Sequence, residues 1–311
     1  MTSCLIAGST GLVGRSLVAK ARKLGFQVIE VSSKNCDLTK FDEINNLLKT
    51  HNPDIVIDAA AKVGGILANS KYPVEFLENN TLIQLNLFRA CHIHSISKLV
   101  FLGSSCVYPK FATQPISENE LLNGKLEPTN DAYAIAKISG IKLIQAYRKQ
   151  FNYKWISVMP TNLFGKFDNF SLENSHLIPA LIRKFNEAKG AYKNRVTLWG
   201  TGSPKREVLY SDHFADMLFK VIEKYDSDEP INIGTGVDHS IKEIAELVRD
   251  VVEVDCEIDW DTSKPDGTPR KLLDVTKLKN LDIPIPNTLK QDLIETNKWY
   301  LDNLNNPELK L

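Results

Sequence analysis

A tyrosine and a lysine four residues apart, Tyr133 and Lys137, are the residues of this sequence best suited to chemistry. That spacing places two side chains on one face of a helix. There the ammonium can favour the phenolate, which makes the tyrosine a usable proton donor or acceptor near neutral pH. By itself the pair also fits an ordinary half-buried helix face. It gains weight because a glycine-rich loop opens the same chain.

Two serines that follow an apolar run form a second polar group. Ser104 and Ser105 come directly after residues 99–103, which are typical of a buried strand. Ligands of parallel α/β sheets bind beyond the carboxyl ends of the strands, so both serines are expected near a bound nicotinamide. Together with Tyr133 and Lys137, they could polarise a ketone and protonate the alkoxide that hydride delivery produces.

Two further candidates have an ordinary structural interpretation as well as a catalytic one. Cys106 follows the serine pair, but a free cysteine is often an inert residue of the core. His176 precedes an expected helix that begins near residue 177, and it could simply cap that helix. The residue types alone leave both alternatives open.

Three glycines near the N-terminus predict a dinucleotide-binding loop. Gly8, Gly11 and Gly14 follow a predicted strand and open a predicted helix. Glycines there permit a tight turn, close approach of the backbone to a pyrophosphate, and close helix–strand packing, while the helix N-terminus favours the anion. The GxxGxxG spacing resembles that of the extended short-chain dehydrogenases/reductases.

The end of the second predicted strand favours NADP over NAD. An acidic residue there would bind the ribose hydroxyls of NAD, but this chain has Ser32, Ser33 and Lys34, which suit a 2′-phosphate. Asp37 lies further along and is expected to face the adenine. An ordinary solvated loop lysine remains the alternative for Lys34.

The predicted secondary structure implies an α/β fold with a Rossmann-type, doubly wound parallel sheet and a smaller α/β C-terminal substrate domain. Short apolar runs and longer amphipathic stretches alternate up to about residue 165, and the rhythm then changes. Strands are predicted at 4–8, 27–31, 54–59, 99–103, 155–159, 196–199 and 230–234. Helices are predicted at 12–24, 42–49, 74–94, 131–151, 241–252 and 289–301 and within 172–194. We expect residues 1–165 to form the NADP-binding domain, with a returning segment near 208–236, and residues 166–207 and 237–311 to form a GDP-sugar-binding cap.

Composition excludes several other classes of protein. Among 311 residues, 38 are Lys or Arg and 38 are Asp or Glu, so a general nucleic-acid or anionic-membrane binder is not indicated. The five cysteines form no CxxC pair, which argues against disulfides and zinc ribbons and favours a cytoplasmic protein. We find no signal peptide, no transmembrane segment and no histidine spacing that indicates a metal.

Longer motifs identify a family. The segments at 59–66, 103–110, 126–130, 159–165, 176–181, 199–202 and 264–274, together with the Tyr133–Lys137 pair, stand in order along nearly the whole chain. This arrangement closely resembles the GDP-L-fucose synthase family, which comprises GDP-4-keto-6-deoxymannose 3,5-epimerase/4-reductases. Members of the family use NADP(H) and work as homodimers. Here the dimer helices would be those around 74–94 and 131–151.

The resemblance assigns a role to individual residues. It implies that Ser104, Tyr133 and Lys137 carry out the reduction, that Cys106 is the epimerisation base and that His176 is its acid. It implies substrate contacts at Ser105, Asn162, Lys184, Trp199, Arg206 and Asp266. Cofactor contacts are expected at Gly8, Ser9, Thr10, Gly11, Leu12, Val13, Gly14, Ser32, Ser33, Lys34, Asp37, Leu38, Ala60, Lys137, Pro160, Thr161, Asn162, Leu163 and His176. The chain departs from members that carry arginines near Thr10 and Val31 for the 2′-phosphate.

Three functions remain compatible with the sequence. The first is reduction at C4 with epimerisation at C3 and C5. The second is C4 reduction of a related GDP-4-keto sugar, such as a heptose in capsule or polysaccharide biosynthesis, without physiological epimerisation. The motifs do not separate these two functions, because one extra sugar carbon needs only small changes in the substrate pocket. The third is an NADP-binding regulatory or scaffold protein whose site has no catalytic activity. The presence of all three reductase residues argues against it: Ser104, Tyr133 and Lys137.

Overall fold

The computed structural model describes residues 1–172, 175–264, 266–306 and 309, without the side chains of residues 66 and 67. Its strands are β1 (Ser3–Ala7), β2 (Gln27–Val31), β3 (Ile55–Asp58), β4 (Lys98–Leu102), β5 (Ile156–Pro160), β6 (Asn162–Phe164), β7 (Arg195–Trp199), β8 (Lys205–Arg206), β9 (Val208–Tyr210), β10 (Ile231–Ile233), β11 (His239–Ser240), β12 (Glu257–Asp261) and β13 (Arg270–Lys271).

The helices alternate with the strands in the first half of the chain. They are α1 (Leu12–Lys23), α2 (Phe41–His51), α3 (Ile66–Lys71), α4 (Pro73–Ile93), α5 (Asp131–Phe151), α6 (Leu177–Gly190), α7 (Ser211–Lys224), α8 (Ile241–Val252), α9 (Thr276–Asn280) and α10 (Leu289–Asp302). Two 3₁₀ turns occur, Ser105–Val107 and Glu118–Glu120.

The central sheet has six strands in the order β10-β5-β4-β3-β1-β2, and all of its pairs are parallel. Both faces are covered, which is why the strands read as continuous apolar runs rather than as alternating ones. The chain moves from β1 to β2 on one side and then places β3 on the other side of β1. This switch point opens the crevice in which such sheets bind ligands. The predicted α/β class is confirmed.

Two apolar layers enclose the sheet. One contains side chains of α2, α4 and α5, such as Leu48, Phe88 and Ile141. The other contains side chains of α1 and α7, such as Leu17 and Phe214. The predicted returning strand is confirmed, since Ile231 of β10 pairs with Val158 of β5.

A third core lies in the C-terminal part of the chain. It joins α6, α8 and α10 to the two-stranded parallel sheet of β7 and β12, and Phe185, Val248 and Tyr300 are buried in it. The helix predicted within 172–194 spans 177–190, and residues 173 and 174 of that prediction lie outside the described residues. The domain boundaries drawn from the sequence stay a prediction, because strands and helices of residues 208–236 contribute to more than one core.

Candidate active site

The glycine loop after β1 is shaped for close approach of another group to the backbone. Gly8 has φ +78°, and a Cβ on it would lie 2.6 Å from the carbonyl oxygen of Ala59. A Cβ on Gly14 would lie 2.0 Å from the carbonyl oxygen of Gly8. Gly11 is the N-cap residue of α1 and supplies no side chain there, so the first backbone N–H groups of the helix remain available to an anion.

The loop is tied to the end of β2. The backbone N–H of Ser9 donates to the carbonyl of Val31 at 2.9 Å, and its hydroxyl donates to the same oxygen at 3.0 Å. Ser32 and Lys34 therefore follow directly beside the glycine loop. The carboxylate of Asp37 accepts hydrogen bonds from the backbone and hydroxyl of Thr39, so it is engaged in a local turn.

The other predicted cofactor contacts lie in the segments that follow β1, β2, β3 and β5. They lie at the start of α1 or at the ends of β2, β3 and β5, and they comprise Thr10, Leu12, Val13, Ser33, Leu38, Ala60, Pro160, Thr161, Asn162 and Leu163. Sequence reasoning missed one cation here. Arg15 Nε donates to the carbonyl oxygen of Thr10 at 3.1 Å, which places a guanidinium beside the glycine loop.

The serine pair leaves β4 as expected. Ser104 is extended and caps the 3₁₀ turn Ser105–Val107, because its Oγ accepts a hydrogen bond from the backbone N–H of Cys106 at 3.2 Å. This bond uses Ser104 as an acceptor and leaves its hydroxyl proton available for a substrate oxygen. Ser105 is buried, whereas Cys106 is half-buried.

Helix α5 brings Tyr133 and Lys137 to this strand end. Lys137 is almost fully buried, and its Nζ donates to the carbonyl oxygen of Leu102 at 2.8 Å. Burial lowers the pKa of Lys137 to about 8, and the negative charge of Asp58 opposes that change. The ring of Phe76 packs edge-on against Tyr133, with 6.4 Å between the ring centroids.

The pKa of Tyr133 is raised, whereas its spacing to Lys137 predicted a shift that favours the phenolate. Burial raises the pKa of the Tyr133 phenol well above its ordinary value, Cys106 raises it further, and the Ser104 hydroxyl lowers it. Desolvation is the largest effect on this pKa, and the ammonium of Lys137 donates a hydrogen bond to the carbonyl oxygen of Leu102. Tyr133 is therefore a phenol at neutral pH and is equipped to donate its proton.

Two donors surround the sulfur of Cys106, and the sequence analysis identified neither. Asn130 Nδ2 lies 3.4 Å from Sγ, and Lys271 Nζ lies 3.6 Å from it. Both groups direct N–H donors at the sulfur, and a cysteine reacts as its thiolate. Lys271 comes from β13, 165 residues away in sequence, so no local pattern could have paired it with the thiol.

His176 occupies the N-cap position of α6, but its side chain makes no capping hydrogen bond. The His176 residue keeps part of its surface exposed, but the protein packed around its ring lowers its pKa by desolvation, and the positive charge of Lys271 lowers it further. Lys271 is thus a neighbour of both Cys106 and His176. A lowered pKa makes the protonated imidazole a stronger acid.

The predicted substrate contacts fall into two groups. Arg206 lies among the charges of Cys106, Glu127 and Asp266, and burial lowers its pKa. The carboxylate of Asp266 accepts hydrogen bonds from the backbone and hydroxyl of Thr201 at 2.7 and 2.8 Å.

The second group lies on and beside β7. Trp199 is 55% exposed, with Lys264 Nζ 5.6 Å from the centre of its ring. Lys184 Nζ donates to the carbonyl oxygen of Thr197 at 3.3 Å. Trp199 therefore presents an exposed ring beside a lysine, and the ammonium of Lys184 is held at the β7 backbone.

A buried glutamate, also missed by sequence reasoning, fixes the segment after β5. Both Thr161 Oγ1 and Asn162 Nδ2 donate to the carbonyl oxygen of Glu207. The carboxylate of Glu207 in turn accepts the backbone N–H groups of Thr235, Gly236 and Leu273. Glu207 therefore links the cofactor side of the crevice to the C-terminal segments.

Comparison with known proteins agrees with this geometry. The model of the NAD dependent epimerase/dehydratase family matches residues 4–234. The chain belongs to this family. It is 49% identical over 300 residues to a protein of Arabidopsis thaliana named putative GDP-L-fucose synthase 2, with 96% of this chain and 92% of that protein covered. The resemblance to GDP-L-fucose synthases that the motifs indicated is confirmed.

Two solved structures are similar over almost their full length. One is a GDP-L-fucose synthetase from Naegleria fowleri bound to NADP, with a TM-score of 0.91, 30% identity, and coverage of 100% of this chain and 95% of that chain. The other is a GDP-6-OMe-4-keto-L-xylo-heptose reductase from C. jejuni, with a TM-score of 0.92, 30% identity, and coverage of 97% and 98%.

The described residues contain neither a membrane-spanning helix nor a candidate metal site. None of the helices found there has a long enough apolar stretch to cross a bilayer. Within the same part of the chain, His, Cys, Asp and Glu side chains form no group of three or more that could hold a metal ion.

Proposed function

We propose that this protein reduces a GDP-4-keto-6-deoxy-sugar at C4 with NADPH and epimerises it at C3 and C5, as a GDP-L-fucose synthase does. One observation supports this most directly. The start of α5, which carries the half-buried Tyr133, packs against the 3₁₀ turn that follows β4 and holds Cys106 directly after Ser104, and Asn130 at the N-cap of α5 lies 3.4 Å from the Cys106 sulfur. A ketone held there would meet a phenol, a hydroxyl and a thiol at once.

NADP(H) is the cofactor, and the crevice at the switch point fits it. Backbone packed as closely as at Gly8 and Gly14, together with the N-terminus of α1, suits a pyrophosphate. Ser32, Ser33 and Lys34 would hold the 2′-phosphate, and Lys137 the nicotinamide ribose. When bound, the reduced cofactor supplies a hydride for C4.

Reduction needs a proton on the C4 oxygen. Tyr133 is protonated at neutral pH and would donate to that oxygen as negative charge develops, while the Ser104 hydroxyl donates a second hydrogen bond. Donors directed at a developing oxyanion in a site shielded from water stabilise the transition state strongly. The positive charge of Lys137 would favour the transient phenolate of Tyr133.

Epimerisation needs a base and an acid on opposite faces of the sugar. The 4-ketone acidifies the protons on C3 and C5, and the Cys106 thiolate would remove one of them as electrons move to the C4 oxygen. The same two donors, Ser104 and Tyr133, would hold that enolate oxygen. His176 would return a proton to carbon from the other face. Lys271 would stabilise the thiolate, since its ammonium lies 3.6 Å from the sulfur.

The nucleotide end of the substrate would bind further along the cleft. Arg206 and Lys184 would pair with the GDP pyrophosphate, and Trp199 would present its exposed ring to the base or ribose. Asp266 would accept hydrogen bonds from the nucleotide, while Ser105 and Asn162 would contact the sugar.

A second candidate is C4 reduction of a related GDP-4-keto-heptose without epimerisation. The observation that favours it is the overall similarity to the heptose reductase structure of C. jejuni. In that case, Cys106 and His176 would remain in place without being used physiologically.

The experiment that separates the two is NMR of the product formed from each candidate GDP-4-keto sugar with NADPH in D2O. The first proposal expects a reduced 6-deoxy-sugar with inverted C3 and C5, both carrying deuterium. Reduction of the heptose alone, without deuterium at either carbon, supports the second. If none of the candidate sugars is consumed, both proposed reactions are contradicted. The remaining function is then that of an NADP-binding protein without catalytic activity.

We also propose that the protein is a cytoplasmic homodimer. Helices α4 and α5 pack against each other and retain large apolar side chains exposed to solvent. These are Val74, Leu77, Leu85, Ile93, Ile135 and Phe151. A second copy of the chain, seated on both helices, would cover them.

A further inference from the structure

A buried carboxylate beside the candidate site has no role in the reaction described so far. Asp58 is the last residue of β3, and its side chain is fully buried. Its Oδ1 accepts one hydrogen bond, from the backbone N–H of Ala60 at 3.2 Å. Within the described residues, Oδ2 has no hydrogen-bond partner. An acid in an apolar core is costly unless a nearby charge compensates it.

The register of the sheet places this carboxylate on the side of the sheet where the ammonium of Lys137 is buried. Asp58 is the direct neighbour of Phe101 on the adjacent strand β4. It also points to the face that carries Val56, because side chains alternate along a strand, and α4 and α5 cover that face. Lys137 Nζ lies over the ring of Phe101, 4.7 Å from its centre. The carboxylate of Asp58 and the ammonium of Lys137 from α5 thus lie buried over the same face of strands β3 and β4.

The two groups affect each other in the expected directions. Burial raises the pKa of Asp58 to about 6, against the opposing effect of Lys137. Burial lowers the pKa of Lys137 to about 8, against the opposing effect of Asp58. Among the described residues, the charge of Asp58 also acts on Cys91 from α4 and Tyr133 from α5, and burial raises the pKa of both. Both are neutral at pH 7, so Asp58 is the compensating charge for Lys137.

We propose that Asp58 is a positioning residue that keeps Lys137 protonated over the pH range in which the enzyme works. The proposal rests on the proposed function, because Lys137 has its role in holding the ribose and in favouring the phenolate of Tyr133. Asp58 touches neither substrate nor cofactor in this account. It acts only through the charge of Lys137.

The sign of the effect follows from the charges. Removing the negative charge of Asp58 leaves burial of Lys137 without compensation, so the ammonium loses its proton at a lower pH than in the wild type. Activity that requires the ammonium must then decline at a lower pH. A residue needed only for folding would instead lower activity by a similar factor at every pH.

The test compares wild type with Asp58→Asn, which keeps the shape of the side chain but removes its charge. The pH dependence of kcat for the reduction and of NADPH affinity is measured from pH 6 to 10. We expect the alkaline midpoint of both to move down by about one unit. Asp58→Glu is expected to restore much of the wild-type profile. The control is Asp54→Asn. It makes the same change at the residue before β3, at the opposite end of the strand from Asp58, and is expected to leave the pH profile unchanged.

Other outcomes are equally informative. The proposal is overturned if the folded Asp58→Asn variant has the same alkaline midpoint as the wild type. If the asparagine variant does not fold, Asp58→Ser provides the same comparison. In a Lys137→Met background, Asp58→Asn should leave the pH profile of NADPH affinity unaltered. If no sugar is turned over by the wild type, the proposed function fails, but the NADPH-binding profile still decides whether Asp58 acts on Lys137.

Discussion

Replacing Gly14 with alanine tests the cofactor loop through a single methyl group. The new Cβ would lie 2.0 Å from the carbonyl oxygen of Gly8, whereas ordinary van der Waals contact begins at 3.4 Å. The loop or α1 must therefore retreat by about 1.4 Å. The obstructing atoms belong to the backbone of Gly8 and Ser9, so no side chain can rotate away. Overpacking of this kind costs about 1–3 kcal/mol of stability.

The same displacement would spoil the backbone donors that face the pyrophosphate. Loss of one hydrogen bond to a charged group costs about 1.5–3 kcal/mol. That corresponds to a decrease in NADPH affinity of about 10- to 150-fold. The affinity is measured by titrating the fluorescence of bound NADPH, and the stability by thermal unfolding.

Two glycines provide matched controls. A Cβ on Gly11 of the same loop would lie 3.4 Å from the nearest neighbouring atom, so Gly11→Ala should leave the melting temperature near that of the wild type. Gly190, at the end of α6, has open space around it, so Gly190→Ala should affect neither measurement. Wild-type affinity and stability in Gly14→Ala would refute the reasoning about the loop.

Three further predictions concern the reaction and the assembly. Tyr133→Phe is expected to lower the rate of reduction by about a hundredfold or more with nearly unchanged NADPH binding, because the phenol is the proton donor; rapid turnover in steady-state assays would contradict that role. Cys106→Ser should abolish deuterium uptake at C3 and C5 in D2O while the cofactor is still oxidised, and persistent uptake in NMR spectra would assign the base elsewhere. Leu85→Asp should convert a dimer to monomers, which light scattering detects as a halved mass. Leu24→Asp, outside the proposed interface, should leave the mass unchanged. An unchanged mass in Leu85→Asp would place the dimer contact on another surface.

Local sequence patterns predicted the parts of the fold in which neighbouring residues decide the structure. Strand β1 lies where a continuous apolar run predicted it, because both faces of a parallel sheet are covered. Helix α5 carries Tyr133 and Lys137, as their spacing of four indicated. The helix α7 was missed, although its apolar side chains recur with helical periodicity, since residues 208–236 were considered only as a returning strand segment.

Contacts between distant segments could not be predicted in this way. Lys271 reaches Cys106 across 165 residues, and the carboxylate of Glu207 binds the backbone of Leu273 across 66 residues. No periodicity connects such pairs, because they meet only after the C-terminal segments fold onto the sheet. The direction of the pKa shift of Tyr133 was misjudged for a related reason. Its dominant cause is burial, which depends on everything packed around α5 rather than on the residue four positions away.

The transfer of deuterium from NADPH that carries deuterium at both C4 positions of the nicotinamide to the sugar tests the central claim most directly. That claim is that a C4 carbonyl lies beside the nicotinamide within reach of Tyr133 and Ser104. With a GDP-4-keto-6-deoxy-sugar as substrate, we expect the product of the wild-type enzyme to carry one deuterium at C4. Under the same conditions, Tyr133→Phe should form almost no deuterated product. Deuterium at another carbon, or unimpaired transfer by the phenylalanine variant, would contradict it.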